Sequence, residues 1–130
     1  MLLFVYGTML RRGRNHQRLY DKRAIFIGEF NTVDTFDMTI RGRGSVPLGM
    51  RSAEGHPIAG ELYAIDDEMI GEIDAFEGHP IVYERQKVTL CDFNETNGLN
   101  VNMYVYVRLT LLAETETVVM PVNGVLRFTP

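Results

Sequence analysis

The chain has 130 residues, 45% of them hydrophobic, and a formal net charge of −4 at pH 7. This length suits one ordinary domain, and we expect residues 1–130 to fold around a single core. Nucleic-acid-binding proteins normally carry a basic face, so the negative charge argues against that class and favours a small-molecule ligand.

The start of the chain predicts neither a signal peptide nor a membrane span. The apolar run at residues 1–6 has no basic region before it and ends at Gly7, too early to cross a bilayer. Cys91 is the only cysteine, which excludes an internal disulfide and fits a reducing compartment. We therefore expect a cytoplasmic protein without a membrane partner. We also expect a monomer or a weak dimer.

The first half of the chain contains three apolar or β-branched runs that are typical of strands. These runs are residues 2–6, 24–30 and 33–40. Between the first two, a polar stretch at 11–22 fits a short helix. Residues 41–57 predict a loop, because glycines and prolines recur throughout this segment.

The second half predicts strands around one longer helix. Asp66 is a suitable helix cap, and Gly78 with Pro80 would end the helix. The predicted strands are residues 58–65, 81–90, 101–109 and one near 117–122, with a turn at Asn97 and Gly98.

Glu77 stands out because it shares the apolar face of this helix. The apolar residues at helical spacing are Met69, Ile70, Ile73 and Phe76, and Glu77 follows Ile73 by four positions. Burial and the negative end of the helix dipole both disfavour an ionised carboxylate there, so we expect a raised pKa. Such a carboxyl suits general acid/base catalysis near neutral pH. The alternative is that the helix unwinds at Phe76 and leaves Glu77 solvated in a loop.

The turn at Tyr6, Gly7 and Thr8 follows the first strand directly. A glycine there allows successive backbone N–H groups to converge on an anion or a polarised carbonyl. The alternative is an ordinary turn. No metal is expected, since His16, His56 and His79 lack the spacing of metal ligands.

Four segments carry a resemblance to a known family when they are taken in chain order. They are residues 4–13, 46–47, 60–65 and 74–80, with Tyr83 and Arg85 after the last. In this order they resemble the γ-glutamylcyclotransferase-like superfamily, which includes γ-glutamylamine cyclotransferases and the plant avirulence-induced-gene proteins. The resemblance spans about residues 3–107. Met9 departs from the usual leucine, and the tail after residue 109 has no pattern in common with the family.

The resemblance implies an α+β fold, a small mixed β-barrel with flanking short helices, and a pocket between the opening loop and Glu77. It also implies release of 5-oxoproline and a free amine from a γ-glutamyl amine or peptide. In that reaction the substrate's α-amine attacks its own γ-carbonyl, so no cofactor and no protein nucleophile are needed.

The resemblance assigns roles to particular residues. Glu77 is implied as the catalytic general acid/base. The substrate-binding residues that it implies are Tyr6, Gly7, Thr8, Met9, Tyr83 and Tyr106, with Tyr104 as the alternative to Tyr106.

Two other classes of function remain open on the sequence. The same pocket would serve a non-catalytic module that binds a small metabolite. An adaptor or inhibitor would act through the 41–57 loop and the tail.

Overall fold

The computed structural model describes residues 1–21, 23–42, 46–91, 98–107 and 116–130. Within these ranges the chain forms eight strands and two helices. The strands are β1 (Leu2–Val5), β2 (Ile25–Asn31), β3 (Phe36–Arg41), β4 (Val46–Arg51), β5 (Ala59–Ala64), β6 (Tyr83–Leu90), β7 (Leu99–Tyr106) and β8 (Glu116–Val118). The helices are α1 (Gln17–Tyr20) and α2 (Asp67–Glu77). The predicted α+β class is therefore confirmed.

The described strands lie in two sheets. One has five strands in the order β2-β5-β1-β7-β6, in which β1 runs parallel to β7 and the other pairs are antiparallel. The other has three antiparallel strands in the order β4-β3-β8. The strand β1 is central in the larger sheet, so its C-terminal end delivers the following turn to the middle of the molecule.

The predicted β-barrel is not closed. A closed barrel needs a continuous hydrogen-bonded ladder between its edge strands. Here the edge strands β2 and β6 meet at one end only, through an isolated bridge between Thr32 and Leu90. The chain then leaves this sheet, because β3 pairs with β4 to build the second sheet.

The predicted loop at 41–57 is wrong, since β4 lies within it. The strand tolerates Pro47 because it is an edge strand, where a missing N–H costs no ladder bond when it faces away from the neighbour. Gly49 serves close packing, since a Cβ there would lie 2.9 Å from the Tyr6 hydroxyl oxygen. Both residues act as packing elements of a strand rather than as signals for a loop.

Other predicted elements differ from the observed ones in length. The helix predicted at 11–22 is a single turn, α1, preceded by turns. The last predicted strand, near 117–122, is observed as β8. The predicted turn at Asn97 lies outside the described residues.

The core has two parts, on either side of β1. Phe4 belongs to the cluster between the two sheets, while Leu3 and Val5 belong to the cluster that contacts the helices. A strand that is buried on both faces has a continuous apolar sequence, which explains why residues 2–6 are all apolar or aromatic. The helix residues Met69 and Ile73 close the second cluster. Neither described helix is long and apolar enough to cross a membrane.

Candidate active site

The helix α2 extends to Glu77 and ends immediately after it. Asp66 caps its start by accepting a hydrogen bond of 2.9 Å from the Met69 N–H. Gly78 ends it in the left-handed conformation, with φ of 69°, which glycine adopts without strain. The N–H of His79 donates to the Asp74 carbonyl at 2.9 Å, which closes the last turn. The alternative in which the helix unwinds at Phe76 is therefore wrong.

Glu77 faces a cavity of about 160 Å³ between the end of β1, the start of β4 and the ends of α2, β6 and β7. The predicted site residues on its wall are Tyr6, Gly7, Thr8, Met9, Glu77 and Tyr83. Residues that are far apart in sequence thus line one small space. Their roles in binding and catalysis stay predictions.

Tyr104 and Tyr106 differ in position although they point to the same side of β7. Tyr104 lies on the cavity wall, whereas Tyr106 is outside the lining. Tyr106 is the register partner of Tyr83, and its ring packs edge-on against the Tyr83 ring at 5.5 Å between centroids. Residues two apart on a strand are about 6.5 Å apart along the chain, which is enough to move Tyr106 past the cavity.

Glu77 has a pKa raised to about 7, because burial disfavours its charged form. The positive charge of Arg18 opposes this effect and lowers the pKa. A carboxyl that titrates near neutral pH can both accept and return a proton under cellular conditions. The environment of Glu77 therefore suits a general acid/base.

Two tyrosine hydroxyls hold β4 over the cavity. The Tyr6 hydroxyl accepts a hydrogen bond from the Gly49 N–H at 3.1 Å and donates to the Tyr104 carbonyl at 2.9 Å. The Tyr83 hydroxyl donates to the Pro47 carbonyl at 2.8 Å. Burial raises the pKa of both phenols, so they remain neutral donors. These hydrogen bonds fix the position of β4 relative to Tyr6 and Tyr83, which line the cavity.

The turn after β1 forms part of the cavity wall through Gly7, Thr8 and Met9. In the ranges that the structure describes, no acceptor contacts the N–H of Gly7, Thr8 or Met9. The Thr8 side chain and carbonyl are both bonded to Asn15, at 3.0 and 2.9 Å, which holds the turn in shape. Gly7 packs against Pro47, and a Cβ there would lie 2.6 Å from the proline Cγ. The turn thus has three free donors on a rigid frame.

Glu61, a buried glutamate on β5, holds the segment after β1 in place through hydrogen bonds to Arg11. It accepts hydrogen bonds from the Arg11 N–H at 3.0 Å, the Arg11 Nε at 3.1 Å and the Tyr63 hydroxyl at 2.8 Å. Glu61 was not among the site residues predicted from the sequence. Its signal was a charged residue inside an otherwise apolar strand, which predicts a buried partner.

Asp74 joins the end of α2 to the sheet, and it too was missed. Its Oδ1 accepts from the Tyr104 hydroxyl at 2.6 Å and from the Arg85 Nε at 3.1 Å. The Arg85 N–H in turn donates to the His79 Nδ1 at 3.0 Å. Arg85 therefore holds the chain on both sides of Glu77.

The described part of the chain holds no group of three or more histidine, cysteine or acidic side chains arranged to hold a metal ion. The three histidines considered in the sequence are accordingly not brought together there.

Comparison with known proteins identifies the family. Residues 3–120 match the family model described as gamma-glutamyl cyclotransferase, AIG2-like. The chain is 31% identical over 125 residues to the gamma-glutamylaminecyclotransferase of Rattus norvegicus, covering 92% of this chain and 84% of that protein.

Two solved structures have a fold similar to that of this chain. The crystal structure of an AIG2-like protein from Mus musculus has a TM-score of 0.73 at 27% identity, over 99% of this chain and 95% of that chain. A part of an allophanate hydrolase from Kluyveromyces lactis has the same TM-score at 19% identity, over 91% of this chain and 19% of that chain. The second likeness concerns the fold alone. The family model and the relatives together establish that this chain belongs to the AIG2-like γ-glutamyl cyclotransferase family.

Proposed function

We propose that the protein is a γ-glutamylcyclotransferase that uses Glu77 as its general acid/base and releases 5-oxoproline. The observation that carries this assignment is a glutamate with a pKa of about 7 on the wall of a small cavity that is also lined by a turn with free backbone N–H groups. Family membership supports the same reaction class.

The reaction closes a five-membered lactam within the substrate. Glu77 takes a proton from the α-ammonium, and the resulting amine attacks the γ-carbonyl carbon to form a new C–N bond. The bond from this carbon to the leaving nitrogen then breaks, and Glu77 returns its proton to that nitrogen. The attacking nitrogen also gives up its second proton, which ends on the released amine, so the products are the neutral lactam and an ammonium. Nucleophile and electrophile belong to one molecule, so the main task of the protein is to hold them together.

The opening turn would stabilise negative charge on the substrate. The N–H groups of Gly7, Thr8 and Met9 would bind either the α-carboxylate or the oxyanion that develops on the γ-carbonyl. Tyr6 would border the substrate, while Tyr83 and Tyr104 would form the opposite wall. We assign this last position to Tyr104 in place of Tyr106, because Tyr104 lies on the cavity wall.

A panel of substrates tests the reaction. The protein is incubated with γ-glutamyl-ε-lysine, γ-glutamyl dipeptides and glutathione, and 5-oxoproline is measured. We expect turnover of at least one, with a loss of roughly a hundredfold or more in Glu77→Gln, the size of a general acid/base contribution. Glu68→Gln is the matched control, since Glu68 is exposed on the same helix. Equal rates in wild type and Glu77→Gln would disprove the mechanism.

The competing function is a module that binds a γ-glutamyl metabolite without turning it over. Calorimetric binding of the same compounds, with the compound recovered unchanged afterwards, would favour that module over the enzyme. We also propose a cytoplasmic location, from the single cysteine of the chain.

A further inference from the structure

The most exposed residues of the cavity wall lie at the start of β4 and at the end of α2. Most of its wall residues are buried, including Tyr6, Met9 and Tyr104, each at most 6% exposed. Val46 and Phe76 also line the cavity, but each is 36% exposed. These two residues therefore mark the opening, and Phe76 is the immediate neighbour of Glu77 in the chain.

A cation lies directly at this opening. The Arg18 guanidinium stacks on Phe76, with its carbon 3.6 Å from the ring centroid. Its charge also acts on Glu77, since it lowers the pKa of that carboxyl. Arg18 is thus close to both the cavity mouth and the proposed proton shuttle.

The charge of Arg18 is not neutralised by an ion pair within the described ranges. Four other arginines each form one with a carboxylate, namely Arg11, Arg41, Arg51 and Arg85. No aspartate or glutamate of the described ranges approaches Arg18 to that distance. A charge without a carboxylate partner is available to a ligand.

Arg18 also borders a polar groove of about 340 Å³ between α1 and α2. This groove contains two basic residues, Arg14 and Arg18, and two acidic ones, Asp21 and Glu72. Of these four, Arg18 is the one that stacks on a residue of the cavity wall. A substituent that leaves the cavity therefore meets Arg18 before the rest of the groove.

We propose that Arg18 is a specificity-determining residue that selects the leaving amine by its charge, favouring amines that carry a carboxylate. This inference rests on the proposed function. With the γ-glutamyl group against the opening turn and the scissile nitrogen at Glu77, the substituent on that nitrogen must pass Phe76 and Arg18. An anionic substituent is attracted there and a cationic one is repelled.

Three matched substrates test the proposal. They are the γ-glutamyl amides of β-alanine, propylamine and ethylenediamine, which end in an anionic, a neutral and a cationic group. With each kcat/KM divided by that of the neutral amide, we expect wild type to exceed Arg18→Gln by about threefold on the anionic amide and to fall below it by about threefold on the cationic one, the size that exposed ion pairs reach. The basicity of each leaving amine is the same in both proteins, and any change in the pKa of Glu77 affects all three substrates alike. The change in these ratios on substitution therefore isolates the charge effect.

Two further variants complete the test. Arg18→Lys keeps the charge and is expected to retain part of the preference, whereas Arg14→Gln should retain all of it, because Arg14 does not stack on the cavity wall. The wild-type preference should also weaken as salt is added. An unchanged ratio in Arg18→Gln, or an equal loss in Arg14→Gln, would overturn the proposal for Arg18. Turnover of the neutral amide would then still support the cyclotransferase, while turnover of none of the three would count against both.

Discussion

The Tyr104 hydroxyl donates a hydrogen bond of 2.6 Å to the Asp74 carboxylate, one helical turn before Glu77. Arg85 binds the same carboxylate through its guanidinium and binds His79 through its backbone N–H. The short segment that carries Glu77 is therefore fixed to β6 and β7 at both ends. This arrangement positions the glutamate although Asp74 itself does not line the cavity.

Replacing Asp74 by alanine should loosen the end of α2. We expect the free energy of unfolding to fall by about 1–3 kcal/mol, because the partners of the carboxylate lose their acceptor. The turnover number should fall by roughly tenfold to a hundredfold, since small displacements of a catalytic group are costly. Denaturant titration and steady-state kinetics measure the two effects. Asp67→Ala, exposed in the first turn, is the control; a kcat unchanged by Asp74→Ala would contradict the positioning role.

The pH dependence of stability should reveal the burial of Glu77. Its pKa is about 7 in the folded protein against an ordinary value of 4.5, so the folded state binds more protons between these values. Stability contributed by Glu77 is therefore fully present below about pH 4.5 and is lost as the pH rises through 7. Over this range the loss is at most about 3 kcal/mol.

The comparison with Glu77→Gln isolates this contribution, because all other groups titrate in both proteins. We expect the variant to gain stability relative to wild type as the pH is raised from 5 to 8, by urea denaturation at each pH. A difference that stays constant with pH would show that Glu77 titrates normally.

The pH profile of activity should also reflect the raised pKa of Glu77. If ionised Glu77 accepts the substrate proton, kcat/KM rises with pH through a pKa near 7. Arg18 lowers this pKa, so Arg18→Gln should shift the acid limb to higher pH with the neutral propylamide substrate. Rates measured from pH 5 to 9 give both profiles. An acid limb that moves to lower pH in Arg18→Gln would contradict this effect of Arg18 on Glu77.

Gly7 should not tolerate a side chain. A Cβ at this position would lie 2.6 Å from the Pro47 Cγ, so Gly7→Ala must displace β4 or the opening turn. We expect a loss of stability of about 1–3 kcal/mol, the usual cost of overpacking, together with a loss of activity.

Gly71 provides the matched control in thermal melts and activity assays. It lies inside α2, and a Cβ added there would have no neighbouring atom within 4 Å. Gly71→Ala should therefore stabilise the protein by up to about 1 kcal/mol with activity kept. Equal stability of the two variants would argue against a tight contact between Gly7 and Pro47.

Features that depend on near neighbours in the chain could be predicted from the amino-acid sequence alone. The apolar face, the Asp66 cap and the Gly78 stop located α2 and placed Glu77 at its end, because helix period and capping act over only a few residues. The apolar run of β1 and the turn at Gly7 were predicted for the same reason. The position of Glu77 at the end of an apolar helix face likewise predicts the upward shift of its pKa.

Features that depend on partners far away in the chain emerged only from the folded arrangement. A strand in place of the 41–57 loop follows from pairing with β3 and from the bond between Gly49 and the Tyr6 hydroxyl. Tyr104 rather than Tyr106 reaches the cavity because of the register of β7 against β6. The sheets stay open because β3 pairs with β4, and Arg18 meets Phe76 because the fold brings these residues of α1 and α2 together. Alternation and composition specify a residue's local preference, whereas register and packing specify which distant residue it meets.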